Sequence, residues 1–150
     1  MYKLLVAMDF SEIAPAILAQ AEFLARATKG KVWLIHVAPP EPDFIGYDTG
    51  PQTERDYIAR QFWDEHRQLQ ERAEELRQKE IDAIALLLQG PTVETIVTEA
   101  NKLAANLIVV GSHGRRGLDR VLVGSVSSGI LQKAPCPVFV IPAHLQGGEN

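Results

Sequence analysis

Glycines and serines between positions 111 and 127 are the residues of this chain whose types and spacing best suit chemistry. The stretch reads Gly111-Ser112-His113-Gly114, continues for nine residues, and then reads Gly124-Ser125-Val126-Ser127. Glycine lets the backbone approach a ligand closely and adopt positive φ angles. A helix that begins near Gly124 would present unpaired N–H groups and the positive end of its dipole, both of which favour an anion. Serine hydroxyls add further donors, so the pattern predicts a phosphate-binding loop.

This loop differs from the two common nucleotide-binding motifs. A Walker A loop requires Gly-Lys-Ser/Thr at its end, and that tripeptide does not occur in the chain. The dinucleotide fingerprint Gly-x-Gly-x-x-Gly has a different spacing from the glycines at 111, 114 and 117. The alternative is that these glycines only form turns. Two glycine pairs, one after an apolar segment and one before a helix, favour ligand binding instead.

The charge of the chain is consistent with one small anionic ligand. Fifteen Lys and Arg stand against 19 Asp and Glu, a net charge of −4, which argues against nucleic acid as a partner. Between Gly111 and Lys133, however, four basic residues stand against Asp119 alone, so this segment carries 4 − 1 = +3. The positive charge therefore coincides with the glycine loop.

Length and composition indicate a single folded domain. The chain has 150 residues, of which 46% are hydrophobic, enough for one packed core. A single cysteine, Cys136, excludes an intramolecular disulfide. The longest apolar run, Ala83 to Leu88, is too short to cross a membrane, and the N-terminal residues do not form a signal peptide. We therefore expect a cytoplasmic protein with no membrane partner.

Apolar strand segments alternate with amphipathic helical segments along the whole chain. This order predicts an α/β fold: a single domain with a five-stranded, mainly parallel sheet and helices on both faces. Ligands of such sheets bind at the carboxyl ends of the strands. Ser11, Thr92 and Ser125 are expected to cap helices, and residues 80–85 could either extend a helix or begin a strand. The predicted strands are 3–8, 31–37, 81–88, 106–110 and 137–141, and the helices follow residues 11, 53, 92 and 125.

Several of these segments together resemble the universal stress protein family, in particular its ATP-binding branch. They are Val6 to Ser11, His36-Val37, Leu107 to Gly114, the Gly111-x2-Gly114-x9-Gly124-Ser125 spacing, and Pro135 to Ile141. The resemblance extends from Lys3 to Pro142 and implies a Rossmann-like fold of the adenine nucleotide alpha-hydrolase type. It implies one domain over residues 1–150, with a variable loop at 38–52 and a tail at 143–150.

The resemblance also implies a role for each matched residue. Asp9 would contact the adenosine, although its position also suits helix capping. Ala7 and Val37 would line the adenine pocket, and Val110 and Gly111 would lie behind the ribose. The residues expected around the phosphates are Gly114, Arg115, Gly124, Ser125, Val126 and Ser127. No side chain is predicted to bind a metal directly, but Mg²⁺ or Mn²⁺ would bridge the phosphates.

The function implied is that of an ATP-binding stress-response or signalling protein, working through nucleotide-dependent conformation or partner binding. AMP and ADP remain alternative ligands. The resemblance also implies a homodimer formed through the last strand, Val138 to Ile141. A slow ATPase, or an enzyme that phosphorylates itself on Ser125 or Ser127, is the alternative. No motif supplies an evident general base or pair of metal-binding carboxylates for such an enzyme, so catalytic residues are not assigned.

Overall fold

The computed structural model describes residues 1–10, 13–38, 52–112 and 124–142, with the backbone alone at 52–56 and 58. These residues alternate between strands and helices along the chain. The elements are β1 (Lys3–Ala7), α1 (Ala14–Thr28), β2 (Lys31–Ala38), α2 (Gln52–Gln78), β3 (Ala83–Gln89), α3 (Thr92–Leu103), β4 (Leu107–Gly111), α4 (Ser125–Lys133) and β5 (Val138–Ile141).

The strands within the described ranges form one sheet of five, in the order β3-β2-β1-β4-β5. Every pairing is parallel, and β1 lies at the centre with Leu4 opposite both Val32 of β2 and Leu107 of β4. The predicted α/β class is therefore confirmed. β5 lies at one edge of this sheet, as the resemblance implied.

Each face of the sheet is covered by two helices. Alternate strand residues point to opposite faces, so Leu4, Val6 and Leu34 pack in one buried cluster with residues of α1 and α2. Leu5 and Ile35 pack in a second cluster, with residues of α3 and α4. Both faces of the strands are apolar because both are buried, which is typical of a parallel sheet.

The predicted helix caps at Thr92 and Ser125 are wrong. α3 begins after Pro91 and α4 after Gly124, and neither start has a side-chain capping hydrogen bond among the described residues. Thr92 and Ser125 are instead the first helical residues. α1 begins after Ile13, and the expected cap Ser11 lies outside the described residues. Pro91 and Gly124 both have the extended backbone that is usual just before a helix. These helices therefore start without a capping side chain to fix that conformation.

The ambiguous stretch after α2 is a turn followed by a strand. Glu80 has a φ of 66°, in the left-handed region that ends helices. The N–H of Glu80 donates to the carbonyl of Arg77, and the N–H of Ile81 donates to that of Leu76, which satisfies the last carbonyls of α2. β3 therefore begins at Ala83, two residues later than predicted.

Other boundaries differ from the prediction by about one residue. The expected 38–52 loop begins with the last residue of β2 and ends with the first residue of α2, and positions 39–51 lie outside the described residues. The expected tail, 143–150, lies outside them as well. No helix in the described part of the chain is long and apolar enough to cross a membrane.

Candidate functional site

A cleft opens at the carboxyl ends of β1, β2 and β4. From β1 the chain builds the sheet in one direction through β2 and β3, and β4 then joins the other side of β1. Ligands of open α/β sheets bind where the strand order reverses in this way. The cleft has a volume of about 210 Å³ and is lined by Ala7, Met8, Asp9, Ile35, His36, Val37, Thr92, Ile96, Val110, Gly111 and Val126.

The walls of the cleft are mostly small or apolar. Ala7, Val37 and Val110 come from three neighbouring strands and pack on the face of the sheet that α3 and α4 cover. Ile96 of α3 and Val126 of α4 complete this apolar side. Such a surface can hold a flat aromatic ring, since it offers contact area with few polar groups.

The polar side of the cleft is formed by the turn after β1. The N–H of Met8 donates to the carbonyl of Ile35 at 2.8 Å, so the pairing of β1 with β2 extends past the last strand residue. Asp9 follows and lines the cleft. Phe10 then adopts a φ of 57°, which is uncommon for a bulky residue. This sharp turn sets the carboxylate of Asp9 at the strand end.

α4 begins beside the cleft. Its N-cap is Gly124, and the first intrahelical bond runs from the N–H of Ser128 to the carbonyl of Gly124 at 2.9 Å. Val126, in the first turn, lines the cleft. Because no side chain caps this helix among the described residues, its first N–H groups are available to an anion at the mouth of the cleft.

Gly111 is a glycine for reasons of packing. A Cβ atom at this position would lie 3.2 Å from Cδ1 of Ile17 and 3.4 Å from Cγ2 of Ile13, both in the α1 region. Neither Gly111 nor Gly124 has a positive φ. Close packing of α1 against the end of β4 therefore explains Gly111.

Ser127 directs its hydroxyl into the protein. The residue is fully buried, and Oγ donates a hydrogen bond to the carbonyl of Gly111 at 2.7 Å. This bond joins the first turn of α4 to the end of β4. The hydroxyl of Ser127 is therefore occupied within the protein, whereas Ser125 is exposed.

Nine of the eleven predicted binding residues fall in the described part of the chain. Six of them line the cleft: Ala7, Asp9, Val37, Val110, Gly111 and Val126. Gly124, Ser125 and Ser127 lie at the start of α4, and Gly114 and Arg115 lie outside the described residues. Five other residues line the cleft and were not predicted as binding residues. Whether such a residue reaches the cleft depends on the direction in which its strand or helix turns it, which only the fold shows. They are Met8, Ile35, His36, Thr92 and Ile96.

Other reactive groups of the described residues do not form a second centre. No group of three or more His, Cys, Asp or Glu side chains within these ranges is arranged to hold a metal ion. Burial raises the pKa of the Cys136 thiol, which keeps it protonated and less nucleophilic. Cys136 packs against the same apolar cluster as α3 and α4.

Comparison with known proteins decides the family. The model of the universal stress protein family matches residues 1–142. The chain belongs to the universal stress protein family. A universal stress protein of Thermus aquaticus, described as lying in the QAH/OAS sulfhydrylase 3′ region, is 32% identical over 146 residues, covering 92% of this chain and 96% of the relative. Universal stress protein YxiE of Bacillus subtilis is 29% identical, with 93% and 97% covered.

Solved structures of the family share the fold. Universal stress protein UspA from Lactobacillus plantarum superimposes with a TM-score of 0.73 at 26% identity, covering 93% of this chain and 97% of the other. A universal stress protein from Archaeoglobus fulgidus in complex with dAMP gives 0.65 at 23% identity, with 94% and 98% covered. A universal stress protein in complex with cAMP gives 0.65 at 19%, with 94% and 96% covered.

Proposed function

We propose that this universal stress protein binds an adenine nucleotide, ATP in particular, in the cleft at the carboxyl ends of β1, β2 and β4. One observation carries the proposal. The first turn of α4 supplies Val126 to the apolar wall of the cleft, and no side chain of the described residues caps the adjacent N–H groups. The surface proposed to bind the base and the helix end proposed to bind the phosphates therefore meet in the first turn of α4.

The proposed arrangement follows from the chemistry of each wall. Adenine lies against Ala7, Val37 and Val110, because these small or apolar residues suit a flat ring. Asp9 accepts hydrogen bonds from the ribose hydroxyls, and Gly111 lies behind the ribose. The phosphates extend towards the start of α4 and are surrounded by Gly114, Arg115, Gly124, Ser125, Val126 and Ser127.

Size and charge support a nucleotide with several phosphates. The described cleft, at about 210 Å³, is smaller than the roughly 300–1,000 Å³ of typical ligand pockets. It suits a nucleoside whose phosphates lie outside it, along the glycine loop. Lys133 lies at the far end of α4 and pairs with Glu94. The loop residues 111–124 still carry three arginines and one aspartate, 3 − 1 = +2, which favours a polyphosphate there. Family members in complex with dAMP and with cAMP support an adenine nucleotide, with ADP and AMP as the alternatives to ATP.

A divalent ion fits this site only as a partner of the phosphates. Among the described residues that line the cleft, Asp9 is the one carboxylate. Mg²⁺ is commonly held by one or two carboxylates together with substrate phosphates. We therefore assign Mg²⁺ or Mn²⁺ to the phosphates, where it would neutralise part of their charge.

Ligand identification tests the proposal directly. Mass spectrometry of small molecules released from denatured, purified protein is expected to find an adenine nucleotide. Calorimetry on nucleotide-free protein, with ATP, ADP and AMP in the presence and absence of Mg²⁺, is expected to show the tightest binding for Mg-ATP. A flat titration with all three nucleotides, together with no copurified ligand, would overturn the proposal.

Self-phosphorylation is the second candidate function, because Ser125 is exposed at the helix end where phosphates would lie. Ser127 is buried and its hydroxyl donates to Gly111, so Ser125 is the more accessible acceptor of the two. Incubation with γ-labelled ATP would detect either label on the protein or released phosphate. Label lost in Ser125→Ala and kept in the control Ser128→Ala, or phosphate release lost in Asp9→Ala, would favour an enzyme over a binding protein.

We infer further that the chain acts as a single domain, residues 1–150, in a cytoplasmic homodimer that responds to stress through its nucleotide state. The position of β5 at an edge of the described sheet supports pairing with a second copy. A protein with one cysteine and a net charge of −4 suits a reducing compartment and partners other than nucleic acid.

A further inference from the structure

We propose that His36, on β2, is a positioning residue that fixes the turn carrying Asp9, and that Glu65 of α2 in turn fixes His36. This inference rests on the proposed nucleotide function for its binding readout. The contacts themselves involve only protein groups and do not require a ligand. They join the turn after β1, strand β2 and helix α2, which are far apart in the sequence.

His36 contacts the residues on both sides of Asp9. Its Nδ1 lies 2.7 Å from the carbonyl oxygen of Met8, which precedes Asp9. Its ring centroid lies 4.7 Å from that of Phe10, which follows Asp9, with the planes tilted by 53°. Phe10 carries the positive φ of this turn. A single side chain therefore holds the residue before Asp9 by a hydrogen bond and the residue after it by a ring contact.

The geometry defines which nitrogen of His36 carries a proton. A carbonyl oxygen only accepts hydrogen bonds, so Nδ1 must donate to Met8. Nε2 is buried and has no hydrogen-bond partner among the described residues, but it lies 3.4 Å from Oε1 of Glu65. Met8 and Glu65 therefore contact opposite nitrogens of the ring, and together they fix the orientation of the imidazole.

The side chains of His36 and Glu65 are only 12% and 22% exposed, so solvent competes little with the contact between them. His36 belongs to the same strand series as Val32 and Leu34, which face α1 and α2. The apolar wall of the cleft lies on the opposite face, against α3 and α4, and His36 is itself among the residues that line the cleft. Because its ring contacts Met8 and Phe10, we assign to it the positioning of the turn that carries Asp9.

Substitution of His36 tests the positioning role through binding. His36→Leu keeps an apolar side chain but removes the donor to Met8, and nucleotide affinity measured by calorimetry is expected to fall about fivefold to tenfold, as for the loss of one hydrogen bond. His36→Asn retains a donor near the position of Nδ1 and is expected to recover most of that loss. The matched control is His66→Leu, because His66 packs against Trp63 on α2 rather than against the turn.

A second measurement does not require a nucleotide. Nitrogen-15 NMR of the ligand-free protein is expected to show a proton on Nδ1 of His36, because Nδ1 donates to the carbonyl of Met8. Glu65→Gln is expected to shift the Nε2 signal of His36 and the amide signals of Met8, Asp9 and Phe10. The exposed Glu71, also on α2, provides the control Glu71→Gln, which should leave all of these signals unchanged.

The outcomes separate this inference from the proposed function. If the wild-type protein binds nucleotide and folded His36→Leu binds it with the same affinity, the positioning role is wrong while the nucleotide function stands. If the wild-type protein binds none but the NMR signals behave as expected, the nucleotide function is wrong and the His36–Glu65 arrangement stands. A His36 ring without a proton on Nδ1, or ring signals that are insensitive to Glu65→Gln, would overturn the arrangement itself.

Discussion

Gly124 lies at the entrance to α4 in a backbone conformation open to any residue, with φ at −65° and ψ at 169°. We expect Gly124→Val to fold and yet to lose nucleotide binding, because a branched side chain would occupy the space proposed for the phosphates. The loss of stability should be at most about 1 kcal/mol, since glycine is only a moderate N-cap. Calorimetry with ATP and thermal unfolding of the same sample measure the two effects separately.

A graded variant controls for this substitution. Gly124→Ala adds a single methyl group and should weaken binding less than Gly124→Val does. Unchanged ATP affinity in folded Gly124→Val would contradict the proposed position of the phosphates at the start of α4.

The sequence was sufficient to predict those cleft residues that lie at the carboxyl end of a strand. Ala7, Asp9, Val37 and Val110 each follow or end an apolar segment, and topology then brings those ends together. The pairing of His36 with Glu65 was not predictable, because 29 residues separate them and only the packing of α2 on β2 brings them within 3.4 Å. The inward hydroxyl of Ser127 was missed for a similar reason, since its partner is a backbone carbonyl of another element.

At the scale of elements, α3 and α4 pack closely at Gly129. A Cβ atom there would lie 2.9 Å from Cγ2 of Val93, which is short and β-branched and cannot move aside easily. Gly129→Ala should therefore destabilise the fold by about 1–3 kcal/mol, the usual cost of overpacking, although alanine favours a helix. Urea unfolding measures the change in free energy.

The double variant Gly129→Ala with Val93→Ala tests the cause of that loss. Removing the methyl groups of Val93 makes room for the added Cβ. Val93→Ala should therefore lower the free energy of unfolding less in the Gly129→Ala background than in the wild type. Strictly additive costs would show that the contact with Val93 is not responsible.

An ion pair joins α1 to the end of α2. The ammonium of Lys79 donates to Oε1 of Glu22 at 3.0 Å, and this hydrogen bond, with help from Arg26, lowers the pKa of the Glu22 carboxyl below its ordinary value of 4.5. Because the pKa is lowered in the folded state, the unfolded chain binds the proton more readily. The stabilisation is therefore complete above pH 4.5 and is lost as the pH falls through the folded pKa.

Glu22→Gln tests that pH dependence. At neutral pH the variant should be less stable than the wild type by about 0.2–1 kcal/mol, as for an exposed pair, and the difference should vanish in acid. Chemical unfolding at a series of pH values measures it, with the exposed Glu71→Gln as the control. A difference that persists when the Glu22 carboxyl of the wild type is protonated would assign the effect to packing instead.

Elements were predicted more reliably than their ends. Apolar runs indicate the buried strands, and apolar residues that repeat at helical spacing indicate helices with one buried face. The caps failed because Pro91 and Gly124 set the backbone before their helices without any side-chain bond. The start of β3 was early by two residues, since Ile81 is buried beneath the turn rather than in the sheet.

At the scale of the whole molecule, β5 leaves one edge of the described sheet open. The N–H of Ile108 donates to the carbonyl of Pro137, and that of Ser112 donates to the carbonyl of Ile141. The two-residue period of a strand then turns the backbone groups of Val138 and Val140 outward. These outward groups are the ones available to a second copy in the proposed homodimer.

Val140→Pro tests the dimer through that edge. Proline removes an outward N–H and spares the bonds to β4, so the monomer should fold while the dimer dissociates. Light scattering after size-exclusion chromatography measures the mass, and Val140→Thr, which keeps the N–H, should remain dimeric. A dimer of unchanged stability in Val140→Pro would exclude pairing through β5.

The central place of β1 has a consequence for the order in which the chain is made. The backbone N–H of Lys3 bonds to Oδ1 of Asn106, 103 residues later, and Leu4 pairs with Leu107. At a synthesis rate of about 5–20 residues per second, one side of β1 waits roughly 5–20 seconds for its neighbour to leave the ribosome. Throughout that interval the nascent chain carries an apolar strand with an open edge. Among the described strand pairs, the first strand translated thus waits longest for a neighbour, and a chain terminated before β4 would leave that edge unpaired.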